Sequence, residues 1–190
     1  MEWLRLLCIA ALAAVAGGSG AAEFEVDPGH LTVYFAVSHF DISFVRGRFG
    51  RIDAKAQYDP EARSGTVAVT VDAGSIDTGN ATLDGVLRSP QFLDAGAYPE
   101  IRFVSERFVF DGNRLVSVDG RLWLHGILQP LRLNVDRFVC KDVRAGIVAR
   151  HVCGGAFRAT LKRSAFGMTQ FLPDVGDEVQ LAIEVEATRR

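Results

Sequence analysis

Residues 178–187 read E-V-Q-L-A-I-E-V-E-A. Val179, Leu181, Ile183, Val185 and Ala187 fall on one face, and Glu178, Gln180, Ala182, Glu184 and Glu186 on the other. Successive side chains of an extended strand point to opposite sides, so this pattern describes a strand with one dry face and one wet face. The same alternation recurs outward along the chain. Leu31, Val33, Phe35, Val37 and His39 share a face, as do Val67, Val69 and Val71. Strands of this kind have to close around an apolar interior, which is either filled by side chains or left open for a ligand. Alternation alone does not choose between the two.

Further strands are expected at 44–58, with a bend at Gly47 or Gly50, and at 101–105, 107–110, 115–124, 127–138 and 156–161. Asp27-Pro28-Gly29, Asp59-Pro60-Glu61, Asp111-Gly112 and His125-Gly126 are turn signals between them. Pro130 argues for an edge position or a bulge. Residues 76–98 break the alternation. Asn80 or Thr82 is placed to cap a short helix through Leu83, Val86 and Leu87 that ends at Ser89-Pro90, followed by a second helical turn around 91–95. This insertion is expected over one mouth or along one flank of the sheet. The resulting class is all-β, an antiparallel barrel of about eight strands, since closure removes exposed edges. Eight strands enclose a lumen that side chains just fill or that holds one small ligand.

The chain has 190 residues, 48% hydrophobic and 23% charged, with a formal net charge of -2. That is one domain with an ordinary core, and the charge balance speaks against nucleic acid as a partner. Arg5 followed by the apolar run 6–16, too short to span a bilayer, reads as a secretory signal. Ala14-Val15-Ala16 and Gly20-Ala21-Ala22 are both small-residue cleavage signals, and cutting after Ala22 is favoured because strand-like sequence starts at Glu23. The expected mature domain is therefore 23–190, periplasmic or secreted, with no membrane span. Removal of Cys8 leaves Cys140 and Cys153, an even pair separated by 13 residues in an oxidising compartment. A structural disulfide is expected. The rival, a redox or metal pair, has neither C-x-x-C spacing nor a nearby third ligand in its favour.

Catalytic signals are weak. His30, His39, His125 and His151 show no metal-ligand spacing, and there is no G-x-S-x-G. His39 lies on an apolar strand face, where a hydrogen-bonded core histidine is the ordinary reading. Arg46-Gly47-Arg48 puts two guanidinium groups on one side of a strand, suited either to a phosphate or carboxylate or to ion pairs with nearby Asp residues on the solvent face. Lys141, Arg144, Arg150 and His151 decorate the segment between the cysteines, as a solvated loop or as a weaker contact for an anionic membrane surface. Thirteen Phe stand against three Tyr and two Trp. That greasy inventory either lines a lumen or fills it.

A set of short motifs then becomes recognisable: V-D-P-G-H (26–30), F-A-V-S-H-F (35–40), V-R-G-R-F (45–49), S-I-D-T-G-N (75–80), L-R-S-P-Q-F-L-D (87–94), Y-P-E-I-R-F (98–103), L-H-G-I (124–127), R-S-A-F-G-M (163–168) and G-D-E-V (176–179). In this order and spacing they make residues 24–187 closely similar to the YceI-like family of exported polyisoprenoid-binding proteins, and the cysteine pair is similar to that of a subset of the family. The resemblance implies a lipocalin-like antiparallel barrel whose elongated lumen accommodates a polyprenyl chain or similar amphiphile. Gly29, Leu31 and Ala165 depart from residues common at those positions in the family. If the acidic residue commonly found at the position of Ala165 fixes a loop at the barrel mouth, ligand choice or local rigidity differs in this chain.

The expected function is a non-catalytic periplasmic carrier or sequestering protein for a polyisoprenoid or other long-chain lipid. Strand phase nominates Phe35, Val37, His39, Val69, Phe103, Leu122, Leu124 and Phe157 for the lumen. Polarity, position near strand ends or the helix, and membership of the family motifs nominate Arg46, Arg48, Asp77, Asn80 and Arg88 for the head group. No cofactor is expected, and a bound species would be a polyisoprenoid or a quinone-like lipid. Transient membrane-surface contact and a homodimer through a free sheet edge are the further partners considered. The competing readings are a stress-related interaction module with a core packed shut and, behind it, an isomerase-like enzyme with His39 as base.

Overall fold

The computed structural model describes residues 21–190. The expected signal segment lies outside them except for its last two positions, and the first strand begins at Ala22, one residue before the expected start. The strands are β1 (Ala22–Val26), β2 (Thr32–His39), β3 (Ser43–Phe49), β4 (Ile52–Asp59), β5 (Ser64–Asp72) and β6 (Ile76–Asp77), then β7 (Glu100–Asp111), β8 (Arg114–Leu124), β9 (Ile127–Ala145), β10 (Val148–Lys162) and β11 (Val175–Arg189). One α-helix, α1 (Ala81–Arg88), interrupts them.

Eight strands form a closed antiparallel ring in the order β1-β4-β5-β7-β8-β9-β10-β11, sealed by pairing of β1 with β11. The fold is a lipocalin-like barrel. β1 uses only the last residues of β11, Ala187 to Arg189. Further back, residues 175–184 of β11 pair instead with β2, which carries β3 and then β6. These three strands complete the wall at the end where α1 sits. Among the described residues no helix is long and apolar enough to cross a membrane.

Several local expectations are refined. Residues 44–58 do not form one bent strand. The break falls at Gly50, whose N–H donates to Ser75 O, and β3 and β4 take different neighbours. Gly47 stays in its strand for a packing reason: a Cβ there would come within 2.5 Å of the Phe35 ring lying across it. Asn80 caps α1, its side chain accepting from the N–H groups of Thr82 and Leu83, whereas residues 91–95 form turns rather than helix. The segment between the cysteines is not a loop. β9 and β10 continue as a hairpin to Gly146 and Ile147, the ladder running from Cys140–Cys153 through Lys141–Val152 and Val143–Arg150 to Ala145–Val148. Pro130 faces Arg121 of β8 in a stretch where β9 has no ladder partner on its other side, so the missing N–H costs no bond. His125 and Gly126 join β8 to β9 with positive φ at both residues, the two-residue turn that matches strand twist.

Candidate functional site

The inward faces of these strands do not meet. They enclose a cavity of about 590 Å³, within the range of roughly 300–1,000 Å³ typical of ligand sites. Its walls are the dry faces read from the sequence. On β11 every second residue from Val179 to Ala187 faces inward, and Val69, Phe103 and Leu122 stand side by side across β5, β7 and β8. From Val175 to Ala187 the wall follows β11 for about 40 Å at ~3.4 Å per residue. Strand tilt reduces this to about 30 Å along the barrel axis. The interior is thus a tunnel, long compared with its width.

The two ends differ. At one, Phe24, Cys153 and Ala187 are buried and pack with Tyr58, Phe138 and Cys140 to form a floor. Cys140 and Cys153 are directly opposed on β9 and β10 and disulfide-bonded. At the other end the wall passes to α1 through Leu83, Val86 and Leu87, to Phe92, and to Phe171 in the connection before β11. Val86 and Phe171 line the cavity and are also largely exposed, so the mouth is here. The rings of Phe92 and Phe171 lie 6.2 Å apart across it.

All eight residues nominated for the lumen lie on this wall: Phe35, Val37, His39, Val69, Phe103, Leu122, Leu124 and Phe157. Strand phase missed the helical contribution, although the apolar spacing of Leu83, Val86 and Leu87 (i, i+3, i+4) carried the signal. It also missed Arg163, the one buried cation of the lining. Arg163 is 3% exposed. Its Nε, Nη1 and Nη2 donate to the carbonyls of Gly176, Met168 and Val175 at 2.9, 2.7 and 2.7 Å. Burial lowers its affinity for the proton, while Asp177 acts in the opposite sense. Its role is to fasten the turn Arg163–Phe166 to the start of β11 at the mouth.

The five residues nominated for the head group do not form one site, and none lines the cavity. Val45 and Phe49 face inward, so Arg46 and Arg48 between them face outward. Arg46 lies over the Phe44 ring, 5.1 Å from its centroid. Arg48 pairs with Asp77 at 3.5 Å, and Asp77 also accepts the N–H of Gly79. Asn80 caps α1, and Arg88 donates to the carbonyls of Gly74 and Ile76 at 2.8 and 2.7 Å. Arg48, Asp77, Asn80 and Arg88 hold the segment from Gly74 to α1 together and tie β6 to β3, whereas Arg46 covers the Phe44 ring. Their chemistry is spent on backbone geometry.

His39 reaches the cavity near the mouth, its ring edge-on to Phe40 at 4.6 Å. Among the described residues no carboxylate is hydrogen-bonded to it, so it lacks the partner that orients a catalytic histidine. The other histidines are engaged: His30 with Asp27, His125 with the carbonyl of Phe166 and His151 with Asp142, each at 2.8 Å. The structure does supply the third donor that the cysteine spacing seemed to lack, since His151 lies within 4.8 Å of both sulfurs. His151 and Cys153 are two residues apart on one strand and so share a face. With the sulfurs bonded to each other, neither is the thiolate that a metal ion requires.

Comparison with known proteins agrees with this architecture. The YceI-like domain family matches residues 24–187. A UPF0312 protein of Pectobacterium carotovorum subsp. carotovorum is 30% identical over 98% of this chain and 96% of its own length. A UPF0312 protein of Vibrio cholerae is 34% identical over 70% of this chain and 72% of its own. Among solved structures, Burkholderia cenocepacia BcnA superposes with a TM-score of 0.70 at 25% identity, covering 86% of this chain and 100% of that one. A polyisoprenoid-binding domain from Saccharophagus degradans, implicated in plant cell wall breakdown, shares the fold with a TM-score of 0.63 at 15% identity, covering 90% of this chain and 100% of that one. On sequence and on fold, this chain belongs to the YceI-like family.

Proposed function

We propose that this protein binds the apolar tail of a long-chain amphiphile, of the polyisoprenoid class or close to it, and carries or sequesters it without chemical change. The observation that carries this reading is the single apolar tunnel, floored at the disulfide end and open beside α1. An apolar cavity of this size has little to offer water, which needs two to four polar partners. A tail gains about 4 kcal/mol for each five-carbon isoprene unit withdrawn from water, at ~0.8 kcal/mol per carbon. The polyisoprenoid-binding domain with the same fold supports the choice of tail. His39, with no carboxylate hydrogen-bonded to it among the described residues, supports binding without catalysis. Export by a cleaved signal segment would place the protein where lipids have to cross water between membranes.

The test is recovery of the ligand. Protein purified without detergent is extracted with organic solvent and the extract analysed by mass spectrometry. About one long-chain lipid per chain is the outcome expected of a single continuous cavity. Absence of lipid, together with no uptake of a dispersed polyprenol by the purified protein, would overturn the reading.

A further inference from the structure

The mouth carries more apolar surface than the cavity needs. Phe40 and Ile42 form the turn between β2 and β3, are 54% and 88% exposed, and do not line the cavity. In the connection before β11, Phe171 is 56% exposed, with exposed Leu172 beside it, and Val86 on α1 is exposed as well. The Phe40 N–H donates to Asp174 O at 2.6 Å and so fastens the two loops together, while the second loop is closed on itself by the Val175 N–H donating to Phe171 O at 2.7 Å. The rim is therefore one surface built from three parts of the chain. Its backbone is also unusual: Phe40 and Phe171 hold φ of 54° and 60°. That left-handed region is unfavourable for a bulky side chain, and glycine would occupy it without strain. Aromatic rings stand here despite a local conformational cost.

Val86 and Phe171 belong both to this rim and to the cavity wall, so the apolar surface runs without interruption from the outside into the tunnel. The charges on the two rim loops are Asp41 and Asp174, with no Lys or Arg in residues 39–42 or 169–175. An anionic surface would be repelled. The basic residues Lys141, Arg144 and Arg150 lie on the β9–β10 hairpin, whose base forms the floor at the opposite end.

We propose that the rim formed by Phe40, Ile42, Val86, Phe171 and Leu172 seats the mouth on a neutral, zwitterionic lipid bilayer. Building on the proposed function, this lets a tail pass between bilayer and tunnel without crossing water. Attachment comes from shallow insertion of apolar side chains rather than from charge, and so persists at high salt.

The experiment is co-sedimentation of the purified protein with phosphatidylcholine vesicles, alongside vesicles enriched in phosphatidylglycerol, at low and high salt. Binding to phosphatidylcholine that is insensitive to salt is expected. The double variant Phe40→Asp, Ile42→Asp should weaken it at least about tenfold through loss of two inserted side chains, while uptake of dispersed geranylgeraniol stays as in the parent, since neither residue lines the cavity. Asp tolerates the left-handed backbone at 40, and both side chains are exposed, so the variant is expected to fold. Uptake of geranylgeraniol without vesicle binding would overturn the docking and leave the carrier reading standing, whereas loss of both in the parent would remove the carrier reading itself. Binding only to phosphatidylglycerol, abolished by salt, would overturn the docking in favour of the basic hairpin. A dimer in sedimentation velocity that the double variant abolishes, with no vesicle binding, would make a second copy of the chain the occupant and equally overturn it.

Discussion

Cys140 and Cys153 stand directly opposite one another on β9 and β10, and their disulfide lies against Phe24 and Ala187 in the floor of the tunnel. The bridge thus holds the closed end of the barrel at the base of a long hairpin. Closing a loop of this size stabilises by about 3 kcal/mol in the chain-entropy account. Cys140→Ser with Cys153→Ser should lower the melting temperature by about 6–12 °C for a domain of this length. An unchanged melting temperature in differential scanning calorimetry would show that the hairpin ladder alone secures the floor.

Arg163 satisfies three carbonyls from a nearly dry position. Arg163→Ala leaves those acceptors without their donor, and a loss of about 3–5 kcal/mol in denaturant unfolding is expected. Arg163→Lys keeps the charge but lacks the planar fork, so it should recover only part of the loss. Full recovery with lysine would mean that charge rather than geometry holds the mouth.

Asp119 on β8 accepts from Arg132 Nε at 2.6 Å and Arg107 Nη2 at 2.7 Å. Hydrogen bonds from Arg132 and then Arg107 hold its carboxyl below the ordinary range, against the opposing effect of burial. Because the folded-state value is depressed, the stabilisation is present above the unfolded pKa of about 4. It is lost as pH falls through the lower folded value. Melting temperature followed from pH 7 to pH 3 should fall less steeply for Asp119→Asn than for the parent. Parallel acid limbs would assign the acid sensitivity to other carboxylates.

Val69 stands on the tunnel wall beside Phe103. Val69→Trp should intrude on the ligand's path and weaken binding of a dispersed polyprenol about tenfold or more, since losing two methylenes of burial costs about 1.6 kcal/mol. Arg46→Glu with Arg48→Glu lies on the outer face and should leave that affinity unchanged, for pyrophosphate-headed and neutral-headed probes alike. Isothermal titration of both variants separates wall from exterior. A selective loss for the pyrophosphate head in the arginine variant would bring those residues back to the mouth.

The contrast between those two variants shows where the sequence was legible. Val37, Phe103 and Leu122 were found from a period of two, because the pleat of a strand places alternate residues on one face whatever lies beyond it. Arg46 and Arg48 obey the same rule, and the inward Val45 and Phe49 on the same strand already carried the sign that the arginines face out. What misled was their chemistry, which suits a phosphate but serves Asp77 and the Phe44 ring. His151 was passed over as a neighbour of the cysteines because residues 141–152 were read as a loop; once they are strand, His151 shares the face of Cys153 two residues on, and His151 and Asp142 form the pair next but one to the disulfide. Arg163 carried no signal in its motif, since its three partners are backbone carbonyls.

By itself, the sequence determined an all-β class, the dry faces of its alternating strands and a capped helix interrupting them. All of these follow from contacts between near neighbours, through the pleat, the cap and turn chemistry. Only the tertiary structure decided that the interior is hollow, which end is floored and which is rimmed. Those properties depend on where strands far apart in the chain bring Phe24, Tyr58, Phe138 and Cys153 together, and on Val86 and Phe171 standing exposed where they line the other end.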